Sequence, residues 1–221
     1  MPHRSTFADL EIPETDLWTF IFERADRPFP DHHGETIQRS KPSRETSSNE
    51  EILVLFVDAD TTRSYTFSEA KALSTQLGKS LCSVWGFRRG DVVLFYTPNA
   101  IDMPVVMLGV LWAGCTVSPA NSMFTAEELA RQLKHSKASA IVTQKPYLAT
   151  VREAVRKAGV REGRILLLGD AKDESGEAPH WTDMTDTSFS GVGKPAVDAK
   201  DLSFIVYSSV SGHNSDQDES R

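Results

Sequence analysis

Arg89-Gly90-Asp91-Val92-Val93-Leu94-Phe95-Tyr96 decides the class of fold. Arg89-Gly90-Asp91 reads as a turn. The five residues after it form a strand too apolar to have a face in water, so something must cover it on both sides. Helices fit that role on each flank. Upstream, Thr66-Phe67-Ser68-Glu69 is a capping box, in which the Thr66 hydroxyl takes the third helical amide and Glu69 reaches back. Behind it Ala70, Leu73, Leu77, Leu81 and Val84 recur at helical spacing, and Gly86 stands where that helix should stop. Downstream, Asn99 is expected to cap a helix running to about Trp112, with Pro104 early enough to cost little hydrogen bonding and Gly114 closing it.

The same alternation continues. Cys115-Thr116-Val117-Ser118 reads as a strand leading to a Pro119-Ala120-Asn121 loop, and Thr125-Ala126-Glu127-Glu128 is a second capping box. Ala140-Ile141-Val142-Thr143 is a strand, Leu148 to Ala158 a helix ended by Gly159, and Ile165-Leu166-Leu167-Leu168 another strand. Helices set between uninterrupted apolar strands mean βαβ crossovers: an α/β fold with a mainly parallel sheet and helices on both faces. Ahead of this unit, Asp16 to Phe22 predicts one short helix, and residues 31 to 50 a mobile polar loop. Ile52 to Val57 pairs with a short strand ending at Tyr65 as a hairpin. Residues 170 to 200, rich in Asp, Glu, Ser and Gly, are expected to be a long surface excursion.

The chain's 221 residues suffice for one large domain, and 39% hydrophobic with 25% charged residues is ordinary for a soluble protein. A net charge of −7, from 24 Lys and Arg against 31 Asp and Glu, argues against nucleic acid as a partner. Cys82 and Cys115 fall in different elements with no C-x-x-C pair, and no secretory leader is read at the start. A cytoplasmic, reducing compartment is expected, with both thiols in or near the core. The most apolar run, Met103 to Ala113, is about half a membrane span and reads as a buried helix.

One stretch bears on chemistry. Phe204-Ile205-Val206-Tyr207 reads as a short buried strand, and Ser208 and Ser209 open the loop after it. Loops leaving the C-terminal ends of parallel strands are where ligands bind, and paired hydroxyls with free N–H groups suit phosphate. Serine pairs also simply end strands. Gly191-Val192-Gly193-Lys194 faintly resembles a phosphate loop, but no strand precedes it and Pro195 stands where Ser or Thr should be. No G-x-G-x-x-G is present. The six histidines are scattered, and His135 has no partner at ligand spacing, so no metal site is expected.

Taken together, Thr66-Phe67-Ser68-Glu69, Arg89-Gly90-Asp91-Val92-Val93, Pro98-Asn99, Gly109 to Gly114, Pro119-Ala120-Asn121, Glu127-Glu128-Leu129 and Phe204 to Ser209 resemble, in order and spacing, the adenylate-forming (AMP-dependent synthetase/ligase) enzymes. Within them the likeness is greatest to fungal acyl-CoA synthetases of the 4-coumarate–CoA ligase type. The resemblance implies an incomplete N-terminal domain of that fold: residues 1–50 as N-terminal segment and polar loop, 51–209 as the partial AMP-binding domain, 210–221 as an unrelated polar tail. It implies a small-molecule carboxylate, ATP with Mg2+, and CoA as reactants, and Ser208 and Ser209 as phosphate ligands in the stub of a loop that runs Y-S-S-G-T-T-G-x-P-K-G.

After Ser209 the likeness stops. Val210 stands at the first glycine, where a β-branched residue resists positive φ by about 1–2 kcal/mol, and Asp216 stands at the lysine. Losing about three charge-assisted hydrogen bonds at about 1.5–3 kcal/mol each would weaken triphosphate binding by about three orders of magnitude or more. The tail reads as a retained intron or gene-model error, since valine codons begin with GT as introns do. No residue of the chain is therefore assigned a catalytic role, no cofactor is expected to bind tightly, and the chain alone is expected to be inactive. The alternative is a non-catalytic binding or interaction module that associates through an exposed sheet edge. Ser220-Arg221 is no peroxisomal address.

Overall fold

Val92–Tyr96 (β3) is buried at all five positions, as a strand without a polar flank requires. A computed structural model of the chain, describing residues 13–23, 54–185, 189 and 191–207, sets it within a four-stranded sheet. Its neighbours are Thr116–Ala120 (β4) on one side and Ala138–Thr143 (β5) on the other, with Ile165–Leu167 (β6) beyond β5. All three pairings are parallel. The order β4-β3-β5-β6 requires each strand to be joined to the next by a crossover.

The three crossovers are helices, and together with the helix that precedes β3 they cover opposite faces. Phe67–Val84 (α2) and Met103–Trp112 (α3) pack with Val93, Phe95, Val117, Ala140, Val142 and Leu166 in one buried cluster. Ala126–Ser136 (α4) and Leu148–Ala158 (α5) pack with Val92, Leu94, Tyr96, Ile141, Ile165 and Leu167 in another. Alternate residues of each strand thus enter alternate cores, the period-two rule of a strand applied on both faces. Leu17–Phe22 (α1) lays Trp18 and Phe22 onto the first cluster, and the antiparallel hairpin Val54–Val57 (β1) with Ser64–Thr66 (β2) leads directly into α2. Residues 52 and 53 of the expected first strand, and the polar loop of residues 31 to 50, lie outside the described residues.

Both capping boxes form as expected, at Thr66/Glu69 and Thr125/Glu128, and α1 is capped by Asp16. Three expectations are corrected. The residue at the start of α3 is Asp102, not Asn99, and its carboxylate makes no cap bond because it is engaged elsewhere. Pro119 and Ala120 belong to β4, since on the side that pairs with β3 no proline N–H is needed. The excursion of residues 170 to 200 is not all surface. Ala178, His180, Trp181 and Met184 are buried, and Leu167 N–H donates to Pro179 O (2.9 Å), so this segment covers the outer edge of β6.

The closest helix contact is the crossing of α2 and α3. A Cβ on Gly78 would lie 2.4 Å from the Trp112 ring and 2.9 Å from Gly109 O, and one on Gly109 would lie 2.8 Å from Leu77 Cδ2. Two glycines let the backbones approach until Trp112 fills the space a side chain would occupy. Gly78→Ala should therefore destabilise the fold by about 1–3 kcal/mol despite alanine's better helix propensity, read as a lower urea midpoint at unchanged slope.

Candidate functional site

Ligands of a parallel sheet are held beyond the C-terminal ends of its strands. At the β4 edge that region is reached by the last described stretch. Val117 N–H donates to Ser203 O and Ile205 N–H donates to Val117 O, each at 2.9 Å, which lays residues 203–205 parallel to β4 with Phe204 opposite Val117. The Thr116 hydroxyl donates to Leu202 O (2.7 Å), and Arg89 donates to Asp201 (2.7 Å). Beyond the bridge, the Tyr207 hydroxyl lies 2.7 Å from His135 Nδ1, with the rings in edge contact at 5.4 Å. Burial raises the Tyr207 pKa, so its phenol stays protonated at neutral pH. His135 is exposed on α4, and its contact with Tyr207 ties the end of this stretch to that helix.

The expectation of a buried strand over Phe204 to Tyr207 is overturned in two respects: only a single bridge, at Phe204, forms, and burial is one-sided. Ile205 turns inward against the core beneath α4 and α5, whereas Leu202, Phe204 and Val206 are exposed, at 66%, 39% and 73%. The stretch is an edge with one open apolar face. Ser208 and Ser209, the two residues assigned to phosphate, lie outside the described residues, as does Val210.

The rest of the rim is built around Asp102, only 1% exposed. Its carboxylate accepts from Arg63, from the Tyr65 hydroxyl (2.6 Å) and from Gly169 N–H (3.2 Å). Burial first, and then the hydrogen bond to Asp102, raise the Tyr65 pKa far above the ordinary tyrosine range, so it remains a donor. Asp102 thus joins the hairpin, the loop after β3 and the turn after β6. His180 Nε2 extends the network to Gly169 O (2.7 Å); a carbonyl can only accept, so Nε2 carries the hydrogen and Nδ1 accepts from Thr182. The sequence reading missed this hub. Its signal was an aspartate directly before Met103-Pro104, the composition of a helix start.

Cations at this rim are already matched. Arg63 pairs with Asp102 and Asp170, Lys145 with Glu174, and Lys172 with Asp183. Among the described residues, no group of three or more His, Cys, Asp or Glu is placed to hold a metal ion, and no helix is long and apolar enough to cross a membrane. The lysine of Gly191-Val192-Gly193-Lys194 is equally committed. Lys194 Nζ donates to Asp16 (2.6 Å) and Thr19 Oγ1 (3.1 Å) and sits 5.8 Å from the Trp18 ring centroid, tying this segment to α1. It is a structural clamp.

Comparison with known proteins agrees with the geometry. Residues 43–211 match the model of the AMP-binding enzyme family. The peroxisomal OPC-8:0-CoA ligase 1 of Arabidopsis thaliana is 30% identical over 71% of this chain and 28% of its own length. The 4-coumarate–CoA ligase 2 of Petroselinum crispum is 26% identical over 69% of this chain and 27% of its own length. The chain thus spans little more than a quarter of either relative. The crystal structure of the Brucella canis acyl-CoA synthetase superposes with a TM-score of 0.62 at 18% identity, over 89% of this chain and 32% of that one, a likeness that bears on the fold alone.

Lys194→Met tests the clamp. Burial acts to raise the Asp16 carboxyl, but the hydrogen bonds from Lys194 and Thr19 outweigh it and leave its pKa lowered. A carboxylate with a lowered folded-state pKa contributes stability that is present above about pH 4 and lost as pH falls through the folded value. The variant should lose about 1–3 kcal/mol at pH 7 in chemical denaturation and less at pH 3, below the unfolded-state pKa, where part of the carboxylate's contribution is already lost. An equal loss at both pH values would show that Lys194 acts through packing on Trp18 alone.

Proposed function

Since the chain belongs to the AMP-binding enzyme family, we propose that it is the N-terminal part of an ATP-dependent acyl-CoA synthetase of the 4-coumarate–CoA ligase-like kind. In the complete reaction a carboxylate oxygen attacks the α-phosphorus of ATP, pyrophosphate leaves and an acyl-adenylate forms. The CoA thiol then attacks the acyl carbon, releasing AMP. The observation that carries the reading is the parallel docking of residues 203–205 on β4, which brings Tyr207 to the C-terminal side of an α/β sheet. The CoA ligases among the relatives support the choice of an acid–thiol ligase.

Within that reading the AMP-binding part runs over residues 51–209, between an N-terminal segment and a polar tail. Ser208 and Ser209 are the phosphate ligands, acting through their hydroxyls and backbone N–H groups on the negative oxygens. Mg2+ would accompany ATP and offset its charge. No set of ligands for it stands among the described residues, and no step of the reaction is assigned to it. The 221-residue chain by itself is proposed to be inactive. Val210 and Asp216 oppose a triphosphate where a glycine and a lysine would favour it, and the rim cations are already paired. A cytoplasmic location belongs to the same proposal and rests on two unbridged cysteines.

The test is carboxylate-dependent pyrophosphate release by the purified chain with ATP, Mg2+ and a panel of aromatic and aliphatic acids. The expected rate is indistinguishable from the enzyme-free control, with no thermal shift on adding ATP. Release above control that requires both chain and acid would overturn the assignment of inactivity.

A further inference from the structure

Residues 191–207 lie against the sheet without entering its cores. None of them is buried. Val192 packs against the cluster under α2 and α3, and Ile205 against the one under α4 and α5, but both are only partly buried there. Besides the two bonds at Val117, side-chain contacts fasten the stretch: Lys194 on Asp16 and Thr19, Arg89 on Asp201, the Thr116 hydroxyl on Leu202 O, and Tyr207 on His135. Both clusters draw their buried residues from elsewhere, so the sheet keeps its two cores when this stretch moves away. A segment with few buried contacts opens at a lower free energy than the core it lies on.

Lys194 decides how firmly it closes. Among the described residues, the nearest buried one before it is Met184, about twice as far along the chain from Ser203 as Lys194 is. With Lys194 held on α1, pairing Ser203 with Val117 closes a loop of about half the length. Each doubling of a loop weakens its closure by about threefold, so the clamp at Lys194 favours docking eleven or so residues further on. The helix that bears this load is itself fixed. Trp18 Nε1 donates to Ser74 Oγ (3.1 Å) and Lys71 donates to Phe22 O (3.2 Å), which fastens α1 to α2.

We propose that residues 191–207 form a strap that lifts from the sheet without unfolding it, and that α1, through Lys194, is the catch that holds it closed. Lifting bares the N–H and C=O of Val117 on β4 and separates Tyr207 from His135. The inference does not depend on whether the chain activates a carboxylate.

Amide hydrogen exchange of the full 221-residue chain in low urea tests it. Lifting breaks the bonds of the Val117 and Ile205 amides together, so both should report one opening equilibrium. After correction for intrinsic rates they should exchange about tenfold or more faster than the amides of Leu94 and Thr116. Thr116 is the internal control, because its N–H donates to Asp91 O (2.8 Å), away from the strap. Lys194→Met should speed exchange at both Val117 and Ile205 by about threefold or more, although Lys194 is bound at α1 and not at β4. Asp16→Asn, which keeps a capping side chain at the start of α1 but removes the charge Lys194 holds, should act in the same direction. Val117 and Ile205 amides as protected as Leu94 would show that the strap parts from the sheet only when the whole domain unfolds, and would overturn the proposal. So would Val117 and Ile205 rates that neither substitution changes, since the 203–205 pairing would then open by itself with no catch at α1.

Discussion

Two hydrogen bonds at Val117 fix where the chain returns to the sheet after β6. Its N–H and its carbonyl both engage the 203–205 stretch, one residue on either side of Phe204. A parallel pair can be made only by a chain that has crossed back over the sheet, so this bridge requires the long path from β6 through residues 168–202. It also sets direction, because a strand running alongside β4 must emerge at the end where β4 emerges. Backbone groups at a buried sheet edge need partners, and Val117 has them only in this arrangement.

The return path is fastened at intervals. Lys194 is bound to Asp16 and Thr19 on α1, Val197 approaches the Gly114 turn, Asp201 pairs with Arg89, and Leu202 O accepts from Thr116. Each contact is modest by itself. Together they hold against the sheet a segment whose own composition could never nucleate structure. Tyr207 then closes the series on His135 of α4. The rim opposite is tied by Asp102, so the loops that follow β3 and β6 are held by one buried carboxylate and the β4 side by backbone pairing.

Much of this was legible in the sequence because it rests on local rules. Thr66 with Glu69, Thr125 with Glu128, and Asp16 before Leu17 announced three helix starts, and Gly86, Gly114 and Gly159, all at positive φ, announced three stops. The all-apolar run of β3 announced burial on two faces. The failures all depended on a distant partner. Phe204 to Tyr207 has the composition of an interior strand, and composition does not reveal that one face finds no cover among the described residues. Asp102 drew no notice because its partners come from residues 63, 65 and 169. Lys194 looked like half a motif until α1 supplied its carboxylate. The candidate site was legible only as a resemblance. The phosphate role proposed for Ser208 and Ser209 depends on glycines and a lysine completing their loop, and the resemblance sets Val210 and Asp216 at two of those positions.

Amide hydrogen exchange at Ile205 tests the central claim most directly, measured at low protein concentration so that only contacts within one chain protect it. The bridge to Val117 predicts an Ile205 amide that exchanges orders of magnitude more slowly than the outward-facing amide of Phe204, and about as slowly as that of Val117. An Ile205 amide that exchanges at the rate of an unprotected loop would contradict the docking on β4, and with it the placement of Tyr207.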